Sequence, residues 1–312
     1  MRNARPQPVS LVTRAALTAA VAVWALTGCG QMAVVGSPTG AEAIEAAAAK
    51  KRQAPSKDAL VPAAAGTYYG KVNALQGKAL LNGLHALITK GHKAFEYDTA
   101  RDHMFATVND QDSDNVVQDV YTGKRVPGVT DRKTAFHRGL NAEHTWPQSM
   151  GAKEGPAKSD LHHLFPADAG ANSQRNNLPF GTVTAKAVML PDYLGDGLHS
   201  RMGENAAGVQ VFEPRADHRG DVARAAMYFY TRYVVGAKLD ATLSIANFRL
   251  EHDTMLKWHL ADPVSAAEKA RNEAVFKLQA NRNPFIDHPE YVKKIGNFLQ
   301  GTSGKTELAE AI

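Results

Sequence analysis

Cys29 is the only cysteine in the chain of 312 residues, so no disulfide can form within it and the fold must be held by its apolar core alone. This matters because the residues before Cys29 read as an export signal. Arg2, Arg5 and Arg14 precede an apolar run from Ala15 to Leu26, which ends in Leu26-Thr27-Gly28-Cys29. A basic start, a short hydrophobic stretch and small residues before a cut are the plan of a secretory leader. The apolar run is too short for a stable membrane span.

Leu26-Thr27-Gly28-Cys29 also resembles the bacterial lipobox, which implies that Cys29 is lipidated and becomes the mature N-terminus. A thioether-linked lipid would remove the oxidation liability of a lone exported thiol. The competing reading is ordinary cleavage near Cys29 with an idle thiol. From Gly30 to about Gly66 the chain is rich in Ala, Pro, Gly and Ser, a composition that buries little apolar surface and suits a tether. The expected organisation is a signal over 1–28, a lipidated N-terminus and tether over 29–66, one folded domain over 67–300 and a polar tail over 301–312. The expected location is the cell envelope, lipid-anchored to a membrane (the outer one if there are two), or outside the cell.

With 44% hydrophobic and 21% charged residues, the chain has ordinary globular composition and can bury a full core. Its formal net charge of +5 falls by three when the leader is removed, so overall charge gives no argument for nucleic-acid binding. Leu75, Leu80, Leu81, Leu84 and Ile88 recur at helical spacing, predicting a helix from about Gly77 to Lys90. Val116, Val117, Val120 and Tyr121 before Thr122-Gly123 read as a strand ending in a turn. Asp110-Gln111-Asp112-Ser113-Asp114 lacks the Gly and distal Glu of a calcium loop and reads as a solvated acidic turn. Val222, Ala225, Ala226, Phe229 and Tyr233 mark a core helix with Asp221 as N-cap. Ser265-Ala266-Ala267-Glu268 is a capping-box pattern for a helix that must stop before Pro284.

The stretch from Asn141 to Gly181 carries the chemistry: Glu143-His144-Thr145-Trp146-Pro147-Gln148-Ser149, then Asp160-Leu161-His162-His163-Leu164-Phe165-Pro166, then Asn172-Ser173-Gln174-Arg175-Asn176-Asn177. Hydrolysis of a phosphodiester needs a base to activate water, positive charge for the transition state and help for the departing oxygen. A neutral His supplies the first near physiological pH. A magnesium ion on one or two oxygen ligands supplies the other two. Glu143 and Asn172 are oxygen donors of that kind and His144 is the adjacent candidate base. Zinc is less natural, because no Cys ligand and no HExxH spacing is present. Neighbouring strand residues point to opposite faces, so Glu143 and His144 share a site only where the strand bends or the phosphate lies along its edge.

These three blocks resemble the signature of the bacterial endonuclease I family, periplasmic or secreted nucleases of the His-Me finger (ββα-metal) type. The resemblance continues through Phe212-Glu213-Pro214, Gly220 to Ala225 and Asn281 to Phe285, and covers about Tyr68 to Asn297. It implies an α+β fold, a single mixed domain built around a ββα-metal core with surrounding helices. The Glu-His pair would sit on one strand, Asp160 to Leu164 on a second, and Asn172 on a helix that Asp168 could cap. By position in the motif His144 is the general base, and Glu143 and Asn172 are metal ligands. The family implies magnesium dependence, with manganese or calcium as substitutes, little sequence preference, and 5′-phosphate products from DNA or RNA. Some secreted members use an Arg in the loop after the Glu-His pair; here the loop from Gly151 to Ser159 offers only Lys153 and Lys158.

Each assignment has a plainer competitor: a surface ion pair for Glu143 and His144, a helix cap for Asn172. Strand alternation puts one of His162 and His163 inward, where a core hydrogen bond competes with phosphate contact. Arg175, Arg224 and Arg282 either bind phosphate or pair with acids such as Asp221. Trp146 reads as core. The chain is expected to be a monomer, and the rival functions are a surface lipoprotein that binds a polyanion without cutting it, and a phosphatase of small substrates. A binder has no need of Glu143 beside His144, and a phosphatase usually gathers more carboxylates.

Overall fold

A computed structural model of the chain describes residues 67–110, 112–237, 239–240 and 243–301. The leader, Cys29, the tether and the tail beyond 301 lie outside the described residues. Helix α1 (Gly77–Thr89) forms as its periodicity predicts and buries Leu80, Leu81, Leu84 and Ile88. Helix α2 (Tyr97–His103) runs into a π-helical turn, Met104–Val108. A small antiparallel pair follows, β1 (Val116–Gln118) with β2 (Arg125–Pro127). The expected strand is thus shorter than read: Val120 and Tyr121 belong to the connecting turn, where Asp119 accepts the Tyr121 and Thr122 amides and Gly123 takes a positive φ.

Helix α3 (Arg132–His137) leads into β3 (Leu140–His144), which pairs antiparallel with β4 (Leu164–Asp168). Helix α4 (Ala169–Arg175) starts at the next residue, with Asp168 as N-cap accepting the Gly170 and Ala171 amides. This strand-strand-helix unit is the centre of the domain. Leu140 and Leu164 join one apolar cluster, with Met104, Phe105, Val117 and Val275. Ala167 and Ala171 join the larger core, built from α1, Tyr121, Trp146 and the later helices.

A three-stranded antiparallel sheet, β5 (Ala185–Met189), β6 (Arg201–Glu204) and β7 (Gln210–Glu213), follows. Then come α5 (Arg219–Phe229), α6 (Ala246–Ala261), α7 (Ala266–Gln279), α8 (Pro284–Asp287) and α9 (Glu290–Ile295). Helix α5 is the core helix foreseen, buried from Val222 to Phe229, but its N-cap is His218; Asp221 lies in the first turn, where its charge complements the helix dipole. Helix α7 has the expected capping box, Ser265 with Glu268. The fold is α+β, small antiparallel sheets among helices.

Candidate active site

Direct register places Glu143 opposite Phe165 and His144 opposite Leu164. Asn141 and Glu143 therefore share one face of β3, and Ala142 and His144 the other. Asp160 to His163 precede β4 as a turn. This corrects the expected second strand at Asp160–Leu164, and with it the expected alternation: both His162 and His163 are buried.

His144 lies at the end of β3, 5% exposed. Its Nε2 donates to the Lys158 carbonyl at 2.9 Å. A carbonyl can only accept, so Nε2 carries the proton and Nδ1 keeps its lone pair. Nδ1 faces the Gln148 amide at 3.3 Å. Burial, with the neighbouring His163 and Arg175 charges, takes the His144 pKa down to about 3, against the Lys158 carbonyl, which raises it. The imidazole is neutral at physiological pH, a proton acceptor in a fixed tautomer. A single 3₁₀ turn, Ala157–Ser159, organises this corner: the Lys158 carbonyl takes His144, and the Ala157 carbonyl accepts His163 Nε2 at 2.7 Å.

On the other face, the Glu143 carboxylate is buried. Its Oε1 accepts the Tyr121 hydroxyl at 2.8 Å and lies 3.4 Å from Arg175 Nη1. Burial raises the Glu143 pKa, outweighing the Arg175 charge and the Tyr121 hydrogen bond. Arg175, at the end of α4, also donates to the His144 and Thr145 carbonyls at 3.4 and 3.0 Å. Asp119 accepts the Asp168 amide at 2.7 Å, tying the Tyr121 turn to the start of α4. Asn172 donates Nδ2 to Asn141 Oδ1 at 2.7 Å, so α4 lies over the Asn141 and Glu143 face. That orientation leaves Asn172 Oδ1 without a hydrogen bond among the described residues, while the Glu143 carboxylate is also stabilised by the His144 backbone amide. One desolvated carboxylate oxygen and one neutral amide oxygen suit a hard divalent cation that keeps most of its own waters, so the donor set fits magnesium.

Other candidate residues are used differently. His162 Nε2 donates to the Asn281 carbonyl at 3.1 Å, and its ring lies 4.5 Å from that of Tyr228. It belongs to a buried network centred on Asp160, which accepts from Tyr228, Tyr233 and Gln279. Arg224 is fully buried, donating to both Glu268 oxygens at 2.6 and 2.7 Å and pairing with Asp221. His162 Nδ1 has no hydrogen-bond partner but is buried inside the Asp160 network, the Arg224 nitrogens are all taken, and Arg282 is likewise held by Glu273 and Asp287. Trp146 stacks on Phe229 at 4.6 Å in the core. Asp112 and Asp114 form the exposed turn expected, but Asp110 is buried and accepts the Asn115 amide. Sequence reasoning missed Tyr121 as a site residue, and Tyr97, whose ring lies 5.6 Å from that of His144. Gln148 stood inside the motif, where its closeness to His144 in the chain was the available signal.

Comparison with known proteins supplies an independent line. A family model described as Endonuclease I matches residues 76–290. The chain is 32% identical over 240 residues to an extracellular ribonuclease of Bacillus amyloliquefaciens, covering 73% of this chain and 78% of that protein. An extracellular ribonuclease of Bacillus subtilis (strain 168) matches at 32% over 244 residues, with the same coverage. An extracellular deoxyribonuclease of Aeromonas hydrophila is 31% identical over 130 residues, 42% of this chain and 49% of that protein.

Proposed function

Because the chain belongs to the Endonuclease I family, with a family match over residues 76–290, we propose that it is a metal-dependent endonuclease that hydrolyses phosphodiester bonds in DNA or RNA with little sequence preference, leaving 5′-phosphate ends. The observation that carries this reading is the fixed tautomer of His144, neutral and with Nδ1 unprotonated, on a strand whose other face gathers the Glu143 carboxylate and the Asn172 amide.

In this reading His144 Nδ1 takes a proton from water as the water oxygen bonds to phosphorus, and the bond from phosphorus to the 3′-oxygen breaks. The Lys158 carbonyl then stabilises the imidazolium through Nε2–H, as an orienting acceptor does for a general base. Glu143 and Asn172 would hold a divalent cation, which when bound neutralises charge on the phosphate and the departing oxygen. Tyr121 and Arg175 keep the Glu143 carboxylate in place through Oε1. Nothing in this set reads a base, which agrees with weak sequence preference. The relatives named extracellular nucleases and the leader ending at Cys29 support export, with a lipid on Cys29 as membrane anchor and the folded domain acting as a monomer.

The test is cleavage of circular plasmid and of single-stranded RNA by the purified mature protein, with magnesium and with chelator. Magnesium-dependent nicking or linearisation is the expected result. No cleavage of either substrate with magnesium, manganese or calcium would overturn the reading.

A further inference from the structure

Phe136, on α3 just before the strand that carries the candidate base, is 73% exposed, more than any other Phe, Tyr or Trp among the described residues. Its surroundings are basic. Residues three and four apart on a helix are neighbours, so Lys133, Phe136 and His137 share one side of α3. The His137 ring meets that of Phe136 edge-on, 5.9 Å between centroids and at 67°. Arg138 follows, its Nε donating to the Gly128 carbonyl at 3.2 Å. All four residues are exposed. The acid nearest in the chain, Asp131, is taken up as the α3 N-cap by the Thr134 amide and hydroxyl. The ion pairs of this region belong to Lys124, Arg125 and Arg132, and neither Lys133 nor Arg138 has an ion-pair partner among the described residues.

A lone apolar side chain at the surface is ordinary. A ring set between two cations that no carboxylate neutralises is what a single-stranded nucleic acid requires: bases stack on the ring while the cations meet the backbone phosphates. A duplex keeps its bases stacked on one another and gives such a ring nothing to cover. The place of the patch favours this occupant over an anionic membrane surface. Gly139 takes a positive φ and its carbonyl accepts the Ala169 amide at 2.9 Å, so the patch adjoins the start of α4. Asn141, two residues further on, accepts from Asn172. At about 3.3 Å per strand residue the head of β3 is about 13 Å from His144. Phosphates follow one another every 3.4 Å or so along a stacked strand, so one substrate strand reaches both places within a few nucleotides.

We propose that Phe136 is a stacking platform for an unpaired base of the substrate, with Lys133 and Arg138 holding the adjoining phosphates, so that the preferred substrates are single-stranded. This rests on the nuclease reading above and narrows it. The contact lies away from the reacting atoms and is made alike in ground and transition states, so it lowers KM and leaves kcat unchanged. Every base has a π-face, so the platform adds no sequence preference.

The experiment compares Phe136→Ala, Phe136→Trp and Lys133→Met in the mature protein, each first shown by its melting transition to be folded. Cleavage of a labelled oligodeoxynucleotide, alone and annealed to its complement, gives kcat and KM. The same strand carrying 2-aminopurine at successive positions, bound with divalent ions chelated, reports stacking as quenched fluorescence. Phe136→Ala should raise KM on the single strand roughly tenfold, leave kcat and the duplex KM at wild-type values, and abolish quenching at one position. Phe136→Trp should keep the wild-type KM and the quenching. Lys133→Met should weaken binding of both substrates and reduce the slope of log K against log salt by about 1. A wild-type single-strand KM in Phe136→Ala would overturn the proposal, and so would an equal rise on strand and duplex. A wild-type KM together with lost binding to vesicles containing anionic lipid would give the patch to a membrane surface instead. Absence of cleavage of either substrate by the wild type would count against the nuclease reading itself, while the fluorescence measurement still decides the stacking.

Discussion

Arg175 Nη1 lies 3.4 Å from Glu143 Oε1, a buried ion pair joining the end of α4 to the strand that carries the candidate base. The same guanidinium holds the His144 and Thr145 carbonyls. The pair thus fixes the carboxylate and the backbone on which the imidazole rides, and removing the Arg leaves a desolvated carboxylate beside unpaired carbonyls.

Arg175→Met should therefore destabilise the domain by about 3–5 kcal/mol, the usual consequence of orphaning one member of a buried pair. Denaturant unfolding of the mature protein checks it. A loss below about 1 kcal/mol would show that Glu143 is neutral in the resting protein.

His144→Ala should leave the fold intact and reduce cleavage by roughly 10²-fold or more, the usual contribution of a general base. Gln148→Ala, which removes only the amide facing Nδ1, should cost less. Single-turnover rates on plasmid, alongside melting curves, test both. A folded His144→Ala protein with near-normal rates would remove this residue from the mechanism.

The metal assignment separates through two substitutions. Glu143→Gln should raise the magnesium concentration needed for activity far more than the substrate concentration needed. Asn172→Asp adds a carboxylate but replaces the Nδ2 donor to Asn141 Oδ1 with an acceptor, so it should bind magnesium more tightly while losing about 1–3 kcal/mol of stability. Calorimetric titration of both proteins is the measurement. Unchanged metal affinity in both would place the ion elsewhere.

How much of this was legible in the sequence depends on how local each signal was. The Glu143-His144 pair, Asn172, the Asp168 cap and the Ser265 capping box all lie within short windows, and each takes the place its motif implied. Tyr121 and Tyr97 reach the site from separate elements far back in the chain, and no spacing announces such a contact. The second strand begins later than expected because Asp160 to His163 form a turn whose side chains are all buried, in different places: Asp160 and His162 in one polar network, Leu161 in the apolar cluster of Leu140 and Leu164, and His163 against the Ala157 carbonyl. Helix α6 escaped notice because its buried face contains Glu251, His252 and His259, which break the apolar pattern.

Those inward imidazoles set the response to acid. Burial leads the lowering of the pKa of His144 to about 3 and of His162 to about 4, and lowers that of His163. A folded-state pKa below the unfolded value of about 6.5 means the unfolded chain binds the proton first, so stability falls as pH drops below that value. Each such His contributes up to about 1.4 kcal/mol per pH unit in that window. Asp160, whose pKa its neighbouring imidazoles and hydrogen bonds hold low against burial, adds a loss of the same sign at lower pH. Glu251 runs the other way: burial raises its pKa to about 7, so its contribution is lost as pH rises through neutrality. The melting temperature should drop steeply between about pH 6 and 4. A flat profile over that range, with the three imidazole resonances shifting through about pH 6.5 in the folded protein, would show that the imidazoles titrate normally.

Cys29→Ser tests the proposed anchor. The substitution should move the protein from the membrane fraction to the soluble one or block its maturation. Unchanged membrane fractionation would exclude a lipid at this position.

Helix α4 begins at Ala169, directly after β4 ends, with Asp168 serving as both the last strand residue and the helix N-cap. No connecting segment exists there to absorb a change in chain length. Adding one residue between Phe165 and Asn172 would rotate the asparagine by about 100° around the helix and carry it off the Glu143 face. The excursion from Thr145 to His163 is different, because its middle, Lys153 to Gly155, is exposed. Evolutionary insertions and deletions should therefore accumulate around Glu154, while the span from β4 into α4 keeps a constant length among active relatives.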